Sequence, residues 1–168
     1  MFKKIFLVLF FTLIECVYPS TIDNVVLDGV YYDWLVYYTD TKEEEKQCYM
    51  VSFAKKQEGN YKKTRNPYIS VTIFNAKNTE EFSVFADYQF KIKSAIYLGI
   101  DNKQFRLYTK EYNAWTKSSD EDYNIIQAML NGTLIRVRGE TITGEYTIDY
   151  YEIKGMFRAY NRIHELCR

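Results

Sequence analysis

Among 168 residues the chain holds one histidine, two prolines, seven glycines and three cysteines, and its 22 basic and 22 acidic residues cancel. Each scarcity excludes something. A zinc site built on two histidines has no material, because His164 stands alone. A Ser-His-Asp or Cys-His arrangement would have to use that same residue, and no serine lies in a nucleophile-elbow sequence. A lone histidine next to Glu165 near a helix end reads as a surface or capping residue. The low proline and glycine content argues against a linker or low-complexity protein, and no glycine-rich loop is set to cradle a phosphate. Without a basic excess, the general argument for nucleic-acid binding falls away. Long hydrophobic runs are missing too. The longest, Ile5 to Ile14, rises about 15 Å as a helix, half of a bilayer core.

That short run follows Lys3 and Lys4, so residues 1–20 read as an export signal and 21–168 as one domain with no integral membrane span. Ile14-Glu15-Cys16 and Tyr18-Pro19-Ser20 offer two cleavage points. Leu13 to Cys16 also traces the outline of a lipoprotein signal, but Glu15 stands where a small residue belongs. A cysteine discarded with the signal is the preferred reading of Cys16.

What the chain has in quantity is aromatic side chains, 17 tyrosines and 11 phenylalanines, which suit a pleated surface. After a polar lead-in over 21–29, Tyr31 to Tyr38 reads as the first strand. A charged turn from Asp40 to Gln47, with Glu43-Glu44-Glu45, leads into a strand from Cys48 to Ala54. Lys55 to Pro67 is the most basic part, with Lys55, Lys56, Lys62, Lys63 and Arg65, and is expected as an exposed loop. Tyr68 to Phe74 alternates cleanly, with Ile69, Val71 and Ile73 on one face. A strand at Glu81–Phe85 follows, then one from Ser94 to Ile100. Asp101-Asn102 turns that strand into Lys103–Tyr108, with Phe105 and Leu107 facing inward.

One internal helix is expected. Ser118 and Glu121 fit a capping box, Tyr123, Ile126, Met129 and Leu130 recur at helical spacing, and Asn131-Gly132 supplies a stop. Thr133 to Gly139 is a strand with Ile135 and Val137 inward and Arg136 and Arg138 outward. The last strand places Tyr146, Ile148 and Tyr150 on one face and Glu145, Thr147 and Asp149 on the other. Beyond Gly155 the spacing turns helical at Met156, Tyr160, Ile163 and Cys167. The fold class is therefore mainly β: an antiparallel β-sandwich or barrel-like domain with one internal helix and a short C-terminal helix.

With Cys16 set aside, Cys48 and Cys167 remain, and in an oxidising compartment two lone cysteines pair. The competing reading is two separate thiols. No C-x-x-C motif points to redox catalysis.

The candidate interaction surface comprises Trp34, Lys62, Lys63 and Trp115. Exposed Tyr and Trp rows bind sugars or protein partners, whereas the same rings as cross-strand pairs are structural. The order Asp33-Trp34, then Cys48-Tyr49-Met50, then Gly155-Met156-x-x-Ala159, resembles the invasion-associated locus B family of exported bacterial proteins. That resemblance implies a compact β-sandwich-like domain in the periplasm or cell envelope, with no catalytic residue set. Some members are associated with host-cell invasion; others occur in bacteria with no such lifestyle. The chain departs from the family where Tyr38 and Met156 stand in place of a cysteine and a phenylalanine, and it lacks a mid-chain cysteine pair.

The expected function is that of a non-enzymatic envelope protein acting through its surface on an unidentified protein or envelope partner, with no cofactor and no nucleic acid. A small carbohydrate- or ligand-binding module using exposed aromatic residues is the alternative. A hydrolase built on distant carboxylates comes third.

Overall fold

The computed structural model describes residues 25–40, 42, 46–77 and 79–167. The expected export segment with Cys16 and the Glu43-Glu44-Glu45 run lie outside the described residues.

Among the described residues eleven strands form in chain order: β1 (Val25–Tyr31), β2 (Trp34–Thr39), β3 (Gln47–Phe53), β4 (Lys56–Gly59), β5 (Tyr68–Phe74), β6 (Thr79–Phe85), β7 (Ala95–Ile100), β8 (Lys103–Lys110), β9 (Asn113–Trp115), β10 (Leu134–Glu140) and β11 (Tyr146–Glu152). Helix α1 (Ser119–Leu130) precedes β10, and α2 (Met156–Leu166) ends the described chain. The strands pair antiparallel in the order β1-β2-β3-β5-β6-β9-β8-β7-β10-β11-β4. The chain runs from β3, inside one half of this order, straight into β4 at its far end. The sheet therefore folds back on itself, and its halves enclose one core that includes Trp34, Met50, Ile69, Phe82, Ile96, Leu98, Ile135 and Tyr151. The mainly β, sandwich- or barrel-like class with two helices is what the chain adopts.

The strand predictions at β3, β5, β6, β7, β8 and β10 agree with the structure, because alternate apolar residues of each point into the core. The start of the chain is different. The lead-in expected over 21–29 contains β1 from Val25, and the single strand expected at Tyr31–Tyr38 is a hairpin turning at Tyr32-Asp33, where Tyr32 has φ 56°. A bulge between Leu27 and Gly29 hides the alternation of β1. The bulged residue, Asp28, accepts from Arg162 of α2 through both oxygens, at 2.7 and 2.8 Å.

Helix α1 is capped by Ser118, whose hydroxyl accepts from the Glu121 N–H, while the Glu121 carboxylate reaches back to the N–H of Lys117. Its buried stripe is Asp122, Ile125, Ile126, Ala128 and Met129. Tyr123, expected on that stripe, is 60% exposed. Its place is taken by Asp122, which docks the first turn onto β6 by accepting from the Phe82 N–H at 3.0 Å.

Helix α2 packs over β1, β2 and β3 through Met156, Ala159, Ile163 and Cys167. Gly155 starts it at φ 95°, and a β-carbon there would meet the Tyr31 carbonyl at 2.0 Å. Cys48 of β3 and Cys167 are joined in a disulfide. Tyr160 donates to Glu80, and His164 Nε2 lies 2.9 Å from the same carboxylate, so the lone histidine serves the docking of α2 on β6.

The Arg162–Asp28 contact carries a pH prediction. Hydrogen bonds from Arg162 are the main reason the Asp28 carboxyl sits below its ordinary value. A depressed carboxyl adds stability that is present above its unfolded pKa of about 3.9 and lost as pH falls through the folded value. The melting temperature is expected to drop on acidification below about pH 4, and Arg162→Met to flatten that part of the curve. Thermal melts of both proteins across pH 2–7 check this; parallel curves would remove the contact from the account.

Candidate functional site

The alternation of the last strands builds two polar sites on opposite sides of β11. Thr147, Asp149 and Tyr151 are buried, whereas Ile148 and Tyr150 lie on the outer face with exposed Tyr146. The polar face is thus the inner one. Asp149 forms a two-pronged ion pair with Arg65, at 2.6 and 3.0 Å, and Arg65 also donates to the Ala86 carbonyl. The guanidinium lies 5.2 Å from the Tyr88 ring and 5.8 Å from that of Tyr61, and Tyr88 shares a hydrogen bond with Thr147. Burial pushes the Asp149 carboxyl upward and Arg65 pulls it back; burial likewise pushes the Tyr88 hydroxyl up to about 12.

The basic stretch expected as an exposed loop therefore divides. Lys56–Gly59 is a strand on the edge of β11, and Arg65 is 5% exposed. Gly59 permits the close approach: at φ 124° a β-carbon would lie 2.1 Å from the Tyr146 carbonyl.

The outer face of β8, β7, β10 and β11 holds an open trough of about 630 Å³, continuous through Tyr97 and Arg138 with a second of about 400 Å³. Register sets the residues of this face in rows across the strands, with Arg106 on β8 and Lys56 and Glu58 on β4 flanking the trough lining. Gln104, Gly99, Arg136, Tyr150 and Lys56 form one row; Arg106, Tyr97, Arg138, Ile148 and Glu58 form the next. Gly99 is what lets Arg136 lie across its neighbour, since a β-carbon at that position would sit 2.8 Å from Arg136 Nε.

The acids bordering the trough are already engaged. Asp101 accepts from the Thr133 hydroxyl and from the N–H groups of Thr133 and Leu134, which holds its carboxyl below the usual range. Glu58 pairs with Lys56 and accepts from the Tyr150 hydroxyl, and Glu140 pairs with Lys91. Among the described residues no carboxylate forms an ion pair with Arg106, Arg136, Arg138 or Lys103. The trough is a basic, tyrosine-bearing surface with uncommitted guanidinium groups.

The opposite outer face, on β2, β3, β5 and β6, is aromatic in another way. Tyr37 stacks on Tyr49, Tyr68 on Phe85, and Phe53 meets Tyr68 edge-on. These rings sit directly across from one another in register, so they act as cross-strand pairs.

The four residues expected as an interaction surface do not assemble. Trp34 is fully buried and its indole N–H donates to the Glu152 carbonyl, tying the end of β2 to that of β11. The expectation of an exposed Trp34 is corrected: its β2 face is the core face. Trp115 is half-buried in β9. Lys62 and Lys63 are exposed between β4 and β5, outside the trough lining, with Lys63 in electrostatic reach of Glu145 beside Tyr146. None of the arginines on this face is among the residues expected from the sequence as an interaction surface. The signal was present in the outward alternation of Arg136 and Arg138 and, by parity with Phe105 and Leu107, of Arg106.

No family model and no curated protein matches this chain. Among solved structures it is similar to the crystal structure of invasion associated protein B from Bartonella henselae, with a TM-score of 0.57 and 17% identity, over 82% of this chain and 96% of that one. At that identity the likeness is one of fold.

Proposed function

We propose that this chain is an exported, non-catalytic protein of the bacterial periplasm or envelope that acts through its surface, and that its working face is the β8-β7-β10-β11 trough. The observation that carries the reading is the set of guanidinium groups of Arg106, Arg136 and Arg138, which no carboxylate neutralises among the described residues. Cations left unpaired on a sheet face are available to a ligand. The disulfide and the fold shared with invasion associated protein B support export and a part in host-cell invasion. A second reading, a ligand-binding module, is favoured by the open rings of Tyr97 and Tyr146, each 45% exposed in the trough.

Host-cell entry tests the first reading. A strain lacking the gene is expected to enter cultured cells poorly, and wild-type protein to restore entry. Arg136→Glu/Arg138→Glu, exported in equal amount and with an unchanged melting temperature, is expected to behave as the null. Full restoration by that variant would remove the trough from the function, and normal entry by the null strain would remove the invasion role.

A further inference from the structure

The order of side chains across the trough is more informative than its charge. Passing from β8 to β4, the rows present Arg106, Tyr97, Arg138 and then Arg136, Tyr150, Lys56, so that each ring is flanked by two cations, of which Lys56 is already paired with Glu58. Strands lie about 4.8 Å apart, so this cation–ring–cation track crosses about 19 Å from β8 to β4. Along β10, Arg136 and Arg138 are about 7 Å apart, close enough to bracket one acidic group between them. Resting on the reading of the trough as the working face, we infer that its ligand is a linear acidic glycan, a chain of sugar rings carrying carboxylate or sulfate groups at intervals.

The chemistry matches at each point. Guanidinium forks bind carboxylate or sulfate through two parallel N–H donors. A tyrosine face between two such forks offers a platform for the apolar face of a sugar ring. Tyr97, exposed and in register between Arg106 and Arg138, is that platform. Tyr150 continues the track in the next row, with the Lys56 ammonium over its ring at 5.3 Å. Sugar hydroxyls need acceptors as well as donors, and the side-chain amides of Asn102 and Gln104 line the trough beside the arginines.

The spacing weighs against the other polyanions. Single-stranded nucleic acid also uses cations with stacking rings, but its phosphodiester backbone carries a charge at every nucleotide, whereas the cations flanking each ring here stand two strands apart. A planar anionic bilayer cannot enter a concave trough to reach Arg136 where it lies across Gly99.

Binding by the purified, oxidised protein tests the inference. The probes are a hyaluronate hexasaccharide, a sulfated hexasaccharide, a neutral cello-oligosaccharide of equal length, a single-stranded oligonucleotide, and vesicles containing phosphatidylglycerol. At least one acidic hexasaccharide is expected to bind and the neutral one to be at least tenfold weaker. Arg138→Gln is expected to weaken binding roughly tenfold and to lower its salt dependence. Tyr97→Ala is expected to weaken it with the salt dependence unchanged, which diffuse charge attraction does not produce. No binding of either acidic hexasaccharide at low salt, tighter binding of the oligonucleotide or vesicles, or indifference to both substitutions would overturn the glycan. If Arg136→Glu/Arg138→Glu still abolishes host-cell entry in that case, the working face stands and only the ligand class falls.

Discussion

Replacing Arg65 by methionine is expected to cost about 3–5 kcal/mol of stability, the range for breaking a buried ion pair from one side. The guanidinium is the only described group in an ion pair with Asp149, it caps the Ala86 carbonyl, and it packs between Tyr61 and Tyr88. Its loss strands a carboxylate on the inner face of β11, in the midst of Tyr88 and Tyr151. Two further measurements separate this cause from lost packing. Arg65→Met/Asp149→Leu is expected to recover much of the deficit, because the cost lies in the unpaired charge rather than in the absence of the pair.

The second measurement is pH dependence. Burial already pushes the Asp149 carboxyl upward with Arg65 present, and without it the carboxyl rises further. A carboxyl whose folded pKa lies above its unfolded value near 3.9 favours the folded state at low pH, and that advantage is lost as pH rises through the folded value. The deficit of Arg65→Met is therefore expected to be smallest near pH 4 and to grow toward neutrality. Urea titrations at several pH values give both numbers; a deficit independent of pH would mean that packing, not charge, is what Arg65 supplies.

The disulfide sets the second large effect. Cys48 and Cys167 close a loop spanning 119 positions. The chain-entropy model gives about 4.7 kcal/mol for a loop of 100 residues, with about 2–5 kcal/mol observed when a native bridge is removed. Cys48→Ala/Cys167→Ala is expected to fall in that window, against a whole-domain stability of about 5–15 kcal/mol. Position matters too. The bridge pins the last turn of α2 to β3, at the end of the helix opposite Gly155. Its removal should first loosen α2, seen as faster amide exchange there than in β5 or β10. Mass analysis of the unreduced protein that found two free thiols, or equal stability with and without reductant, would remove the bridge from this account.

The sequence by itself determined the local structure wherever one face of an element is apolar and the other is not. The alternation of β5, β7 and β10, the Asp101-Asn102 hairpin, the Ser118 cap and the helical spacing after Gly155 all follow from side-chain period and turn chemistry. Cys48 and Cys167 are the cysteines among the described residues, and they pair with each other. Period says which residues share a face; it does not say which face is buried. In β11 both faces mix polar and aromatic groups, and only the arrival of Arg65 from a distant loop makes the Asp149 face the inner one. Trp34 is buried for the same kind of reason: its partner is Glu152, at the far end of the chain. The trough is wholly tertiary. Its arginines and tyrosines were visible one strand at a time, but their alternation exists only because β10 pairs with β7 on one side and β11 on the other, and β11 with β4. Those pairings depend on how the whole sheet closes around its core, which no local pattern encodes.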